Sequence, residues 1–248
     1  MNLINPYRFA AGVAFDGFGN ASRSFDGNND KVNLGDVLGS VLEGANKQWT
    51  ITAWVKSADL DNDLIISKWN YNTSSREFFF RVTTSGELAV SMSSDGTSSN
   101  RWGRQTGTGV ITVNTWHHVA VTYDQTATGD YLRIWVDGTE QTSLSAYNVN
   151  GTFVSIYSGT SDLVISGLQS DGASNWEGNL ADVRIYDTDI PDSAVEGLAV
   201  GTDYQTNLVG WWITDVDDGT TTIPDYSTNS NDGTNTGSTY DNTDAPNI

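Results

Sequence analysis

The sequence predicts an all-β chain, a sandwich of two antiparallel sheets with one short helix. Composition gives the first sign. The 31 acidic residues comprise 25 Asp and 6 Glu, and the 12 basic residues 8 Arg and 4 Lys. Asp joins Asn, Gly, Ser and Thr as a turn former, while the helix-favouring Glu and Lys are scarce. The second sign is a recurrence of short runs in which apolar and polar residues alternate, with turn residues between them. The third is that a single stretch, 190–198, carries helix punctuation, with Pro191 in its first turn, Asp192 beside it and Gly201 beyond its end.

Taken in order, residues 49–56 place Trp49, Ile51, Ala53 and Val55 on one side of a strand and Thr50, Thr52, Trp54 and Lys56 on the other. Residues 63–69 form a second strand. Residues 76–83 and 87–93 form a hairpin about Ser85-Gly86. The alternation of 116–123 gives the next strand. Residues 131–136 lead into Asp137-Gly138, a hairpin-turn dipeptide, and the chain resumes at 139–141. Strands at 163–166, 180–186 and 207–213 complete a set of about ten. Residues 138–161, rich in Ser, Thr and Asn, read as a surface excursion. The organisation is therefore an N-terminal arm (1–20), the sandwich (21–213) and an Asp-, Asn-, Thr- and Gly-rich tail (214–248) packed on the domain or on a neighbouring subunit.

Several function classes fall away on composition. The formal net charge of −19 repels phosphate backbones, so nucleic acid is not a partner. No apolar run approaches the roughly 18–20 residues of a spanning helix. The absence of Cys removes disulfides, thiolate catalysis and Cys-ligated zinc. The first residues lack a cationic segment followed by a long apolar one, so the expectation is synthesis and folding in the cytoplasm without a signal peptide.

Six motifs in order carry a resemblance. They are Phe25-Asp26-Gly27-Asn28-Asn29-Asp30-Lys31-Val32, Trp49-Thr50-Ile51-Thr52-Ala53-Trp54-Val55, Ile66-Ser67-Lys68-Trp69, Thr115-Trp116-His117-His118-Val119-Ala120, Leu132-Arg133-Ile134-Trp135-Val136-Asp137-Gly138, and the stretch from Trp176 to Asp187. Together they resemble the laminin-G-like, concanavalin A-type jelly roll, in the branch related to pentraxins. The order departs from that family at its end. Leu208-Val209-Gly210-Trp211-Trp212 and the segment from Asp225 to Gly233 resemble what normally precedes the first strand. Either the domain is permuted, with the tail completing the sheet, or a second repeat begins and is cut short.

Relatives of this fold that cleave polysaccharides present paired Glu residues on one strand, because nucleophile and acid must lie about 5–5.5 Å apart for a retaining mechanism. The six Glu here (43, 77, 87, 140, 177, 196) are never closer than ten residues, so no strand presents such a pair. His117 and His118 are adjacent strand residues on opposite faces and cannot chelate one ion together. The chain reads as non-enzymatic.

The resemblance implies a structural calcium ion, with the carboxylate of Asp182 and donors around Asp26, Asn28 and Asp30. The alternative is that Asp182 caps a turn or pairs with Arg184 or Arg23. A second, ligand-bridging calcium at the rim would draw on Asp95, Asp162 or Asp171. For sugar recognition, aromatic platforms with planar polar neighbours are required. Trp69, Tyr71, Trp102 and Trp176 stand at strand ends or in polar surroundings, and Arg101 and Arg104 flank Trp102, making residues 94–109 the candidate rim loop. Such tryptophans also plug the ends of sandwiches or serve protein interfaces. An acidic jelly roll without a leader and with an aromatic arm resembles accessory proteins on tailed-phage virions. The expectation is a virion-surface protein of decoration or fibre type, homo-oligomeric, contacting other virion proteins and surface glycans. The alternative is a secreted or cell-surface, extracellular calcium-dependent carbohydrate-binding module.

Overall fold

A computed structural model describes residues 21–127, 132–169, 174–212 and 221–246. In chain order the first elements are β1 (Ser22–Asp26), β2 (Lys31–Asn33), α1 (Gly39–Leu42), β3 (Gln48–Ser57), β4 (Leu64–Asn70), β5 (Ser75–Val82), β6 (Leu88–Ser93), β7 (Arg101–Gln105), β8 (His117–Asp124) and β9 (Leu132–Val136). There follow β10 (Thr139–Glu140), β11 (Ser145–Ala146), β12 (Leu163–Ile165), β13 (Glu177–Tyr186), α2 (Asp192–Leu198), β14 (Leu208–Trp212), β15 (Thr222–Ile223), β16 (Gly233–Thr236) and β17 (Thr239–Asp241).

Two antiparallel sheets result. One runs β10-β9-β8-β3-β13-β1-β17 with β14 also paired to β13, and the other runs β11-β7-β6-β5-β4-β12-β2-β16-β15. Their facing surfaces form one core. Trp49, Ile51, Ala53 and Val55 of β3 meet Phe78, Phe80, Val90 and Met92 of the opposite sheet, all fully buried. Trp49 stacks on Tyr123 at 5.1 Å. On the far side of the first sheet, α2 lays Ala194, Val195 and Leu198 over Ala120, Trp135 and Tyr186.

The long strand β13 takes two partners along one edge. Residues 177–180 pair with β1, and 183–186 with β14. The changeover falls at Asp182, which has φ 50°, and there the ladder to β3 is bulged between Ala181 and Arg184. The chain after α2 thus enters both sheets, β14 and β17 in the first and β15 and β16 in the second. Arg23 fixes this closure by donating to the Ser238 side chain at 2.7 Å and to its carbonyl at 2.9 Å.

The fold has more pieces than the alternation predicts. Strands β2, β11, β15 and β17 are two to three residues long, too short to show a period, whereas β10 and β12 fall at the expected strands 139–141 and 163–166. Helix α1 is one turn, entered through Leu38 at φ 57°, and has no capping side chain to announce it. The expected excursion at 138–161 lays β10 on β9 and β11 on β7. Among the described residues no helix is long and apolar enough to cross a membrane.

Candidate functional site

The outer face of the nine-stranded sheet carries the candidate site. Register aligns one residue from each strand across it: Tyr147 bonded to Gly103, then Ser91, Phe79, Ser67, Val164, Asn33, Thr234 and Thr222. Phe78 and Phe80 enter the core, so Phe79 between them faces outward. The row runs from aromatic, through small, to polar.

At the aromatic end Phe79, Trp69, Leu64 and Leu168 form a second small buried cluster, with Tyr147 packed against it. Trp69 meets Phe79 edge-on at 4.9 Å and Tyr71 edge-on at 6.1 Å. Tyr71 itself, just past the end of β4, is 49% exposed. The Arg76 guanidinium lies 5.3 Å over its ring, a cation–π geometry that holds the phenol. Arg76 reaches that position because the β4–β5 ladder is bulged between Lys68 and Trp69, leaving Glu77 without a cross-strand partner.

Polar groups continue from there. Asn70 Nδ2 donates to Gln169 Oε1 at 3.1 Å, which also accepts the Asp162 N–H at 3.1 Å. Asp162 Oδ2 accepts from Asn33 Nδ2 at 2.9 Å, and Asn33 Oδ1 accepts the Gly35 N–H at 2.8 Å. Asn33 and Asp162, with Lys31, Leu34, Gly35, Asp232, Thr234 and Thr236, line a cleft of about 460 Å³. An exposed ring beside fixed amides and carboxylates offers one apolar surface and several directed hydrogen-bond partners.

Only part of the expected aromatic set meets here. Trp69 and Tyr71 are in the site, Trp69 as the buried support. Trp102 is on β7 rather than in a loop, and points to the opposite face of the sheet. There it stacks on Phe153 at 5.6 Å, with the Arg104 guanidinium 5.3 Å over its ring. Arg101 exchanges both backbone hydrogen bonds with Asn150, so within residues 94–109 the stretch 101–105 is strand β7, while 94–100 is a loop. Trp176 is not at a rim; its ring is fully buried in the main core, because β13 begins one residue later and draws it inward.

The four residues expected to hold calcium do not converge. Asp26 faces Glu177 across β1–β13, whereas Asp182 lies five residues further along β13, about 16 Å at strand rise. Asp182 Oδ1 already accepts from Arg184 Nε at 2.9 Å and from Trp211 Nε1 at 2.6 Å. Asp26 caps its own turn by accepting the Asn28 N–H, which lowers its pKa, and Asp30 Oδ2 accepts the Asp26 N–H at 3.0 Å. A guanidinium against the principal carboxylate and a self-satisfied turn do not fit a bound dication, and among the described residues no three metal-ligating side chains come together. Asp95 similarly caps Thr97 and Asn100, Asp162 lies in the cleft, and Asp171 lies outside the described residues.

The histidines face opposite ways. His117 bridges Asp137 Oδ2 at 2.8 Å and Thr112 Oγ1 at 3.0 Å. His118 is buried beside Trp54, and burial pushes its pKa down to about 3. The fold does bring two Glu residues near one another. Glu43 and Glu77 both sit near buried Lys68, Glu43 at 3.0 Å, and burial raises the pKa of each. Neither carboxylate reaches the surface, both being less than a tenth exposed.

Sequence reasoning missed Phe79, Arg76, Asn70, Gln169, Asn33 and the residues of β16. Alternation through the three consecutive phenylalanines was the available signal for Phe79. No local signal exists for the others, because pairing between distant strands brings them together.

A family model described as the concanavalin A-like lectin/glucanase superfamily, of laminin G type, matches residues 26–196. No curated protein sequence matches the chain. Among solved structures, it resembles a Bacteroides ovatus protein to which carbohydrate binding has been ascribed (20% identity, TM-score 0.63) over 91% of this chain and 60% of that one, so the chain spans about three fifths of that protein's length. It also resembles the CBM40 module of a Ruminococcus gnavus IT-sialidase bound to α2,6-sialyllactose (14% identity, TM-score 0.53, 72% of this chain and 96% of that one). A heptameric SAP-like pentraxin from Limulus polyphemus aligns at 17% identity and TM-score 0.49 over 75% of this chain and 84% of that one. At these identities the likeness is one of fold. On the match over 26–196, the chain belongs to the concanavalin A-like lectin/glucanase superfamily.

Proposed function

We propose that this domain binds carbohydrate without cleaving it, through the outer face of the nine-stranded sheet. The observation that carries the reading is Tyr71, 49% exposed, braced by buried Trp69 and by Arg76, and adjoining the Asn70–Gln169–Asp162 hydrogen-bonded series. A pyranose offers an apolar ring face and a rim of hydroxyls, and this juxtaposition matches both. The carbohydrate binding ascribed to the Bacteroides ovatus protein, and the sialyllactose held by the CBM40 module, support the same class of ligand. The placement of the carboxylates favours binding over hydrolysis, since the near pair Glu43 and Glu77 is buried around Lys68. The virion-surface reading rested on an acidic jelly roll without a leader and with an arm at 1–20, and the similar structures support the carbohydrate-binding alternative better, so glycan recognition is carried forward. A glycan array followed by titration calorimetry tests it. Tyr71→Ala is expected to weaken binding by about tenfold, the loss of one stacking contact of order 1 kcal/mol. Binding unchanged in Tyr71→Ala sets this face aside.

A further inference from the structure

The cleft beside Tyr71 is built by two stretches of chain far apart in sequence. Lys31 and Asn33 project from β2, and Thr234 and Thr236 project from β16 directly opposite them, in the pairs Lys31–Thr236 and Asn33–Thr234. Val32 between the first two is in the core, so all four face outward. Asp162, just before β12, closes one side, and Asp232, at the turn into β16, closes the other. Asp232, Thr234 and Thr236 are exposed, and Lys31, Asn33 and Asp162 are partly exposed. Each carboxylate has one oxygen engaged within the fold. Asp162 Oδ2 holds Asn33, and Asp232 Oδ1 accepts the Asp225 N–H at 2.9 Å. Both carboxylates are held by these bonds, and both residues line the cleft.

From β4, which ends beside Tyr71, the order β4-β12-β2-β16 places the far wall three strand spacings away, about 14 Å. Asn70, Gln169, Asp162 and Asn33 bridge that span by hydrogen bonds. The span exceeds one sugar ring. The cleft also has two carboxylates to one lysine, in a chain of net charge −19. Carboxylates and amides bridge neutral hydroxyl pairs well, and the two carboxylates repel an acidic sugar.

We propose that this cleft is a second subsite, walled by the C-terminal β15–β16 hairpin, and that the ligand is a neutral oligosaccharide running from Tyr71 to Thr234. The proposal rests on the carbohydrate reading above. It separates this domain from sialic-acid binding, despite the fold shared with a sialyllactose-binding module.

The test is calorimetry on the full chain with malto-, manno- and galacto-oligosaccharides of one to five units, and with sialyllactose and tri-galacturonate as acidic probes. In at least one neutral series affinity is expected to rise by an order of magnitude or more with length and then level off, with both acidic probes at least tenfold weaker. Asn33→Ala should flatten the length dependence, weakening the longer chains more than the monosaccharide. Thr234→Glu, an exposed substitution that adds charge to the cleft wall, should do the same with an unchanged melting temperature, so the test survives a fold defect in Asn33→Ala. Tyr71→Ala should weaken all lengths alike. Length-independent binding lost only in Tyr71→Ala overturns the cleft and leaves the carbohydrate reading standing, as does equal or tighter binding of an acidic probe. Silence toward every saccharide overturns both.

Discussion

Asp182→Asn tests how β13 and β14 are locked together. Asn tolerates the left-handed φ of 50° at this position and keeps an oxygen for Trp211 Nε1, so the change is mainly one of charge. The Arg184 guanidinium that Asp182 faces is fully buried. It also donates to Asp203 at 2.6 Å, and it lies 4.4 Å over the Trp211 ring. Breaking a buried ion pair by removing one partner costs about 3–5 kcal/mol, because the remaining charge loses its compensation. Asp203 remains, which points to the lower end, about 3 kcal/mol. For a chain of this size each kcal/mol moves the melting temperature by roughly 2–4 °C, so a fall of about 6–12 °C is expected. The assay is thermal unfolding followed by circular dichroism, in excess EDTA and again in excess calcium, with the same fall expected in both. Adding Arg184→Leu to Asp182→Asn should cost less than the two single changes summed, by about 1–3 kcal/mol, since the stranded charge is gone. The reasoning is refuted if calcium raises the melting temperature of the wild type and Asp182→Asn abolishes that rise. The carboxylate would then be a metal ligand and Arg184 its bystander.

Three further outcomes follow from buried groups and one close approach. Burial, together with Asp59 alongside, pushes the Asp63 pKa up to about 7. The folded chain thus keeps a proton that the unfolded chain releases near pH 4, and this contribution to stability fades as pH rises from about 4 to 7. His118 acts oppositely: folded it takes a proton only near pH 3, unfolded near 6.5, so its contribution fades as pH falls below about 6.5. The two offset each other between about pH 4 and 6.5. Asp63→Asn should therefore leave urea midpoints that climb with pH where the wild type is flatter, and identical profiles would contradict the assignment. Lys68→Met leaves Glu43 and Glu77 buried without their ammonium, and should cost about 3–5 kcal/mol at pH 8 but progressively less as pH falls, because burial raises the pKa of both carboxyls and protonation relieves the stranded charge; a loss that does not change with pH removes the electrostatic account. In Gly237→Ala a Cβ would fall 1.8 Å from Asp30 Oδ1, at a φ of +80°. The variant should loosen the β16–β17 turn, and faster amide exchange confined to 221–246 would register it.

What the sequence made legible was what neighbours in the chain decide. Alternation in 49–56 identified the inward face of β3 correctly, and the same rule separates His117 from His118. The Asp137-Gly138 turn and the β5–β6 hairpin are equally local. Burial of a side chain at a strand's end is not local. Trp69, Trp102 and Trp176 all stand beside polar residues in the sequence, yet one supports an outer cluster, one stacks beneath the edge strand and one lies in the core. Polar neighbours along a strand point the other way from the ring in question, so they report on the opposite face. The reading of Asp182 failed to choose between metal and Arg184 for a related reason. An acidic residue two positions before an arginine normally shares its face across a strand, but here the two meet through a bulge that periodicity does not encode.

The site shows the same division more sharply. Tyr71 was singled out because aromatic residues past the end of a strand are conspicuous. Its polar partners are unremarkable in sequence, being Asn33 in a three-residue strand, Asp162 before another, and Thr234 in a low-complexity tail whose composition by itself suits a disordered segment. They become a surface only when β16 pairs with β2 and β17 with β1. The pairs that hold this closure are Arg23 with Ser238 and Lys56 with Asp244 at 2.5 Å. Closing the sheet and building the cleft wall are therefore one event. A substitution that releases the C-terminal hairpin should lower saccharide affinity even though it touches no residue of the cleft. Gly237→Ala is that substitution, and its effect on binding should follow its effect on amide exchange in 221–246.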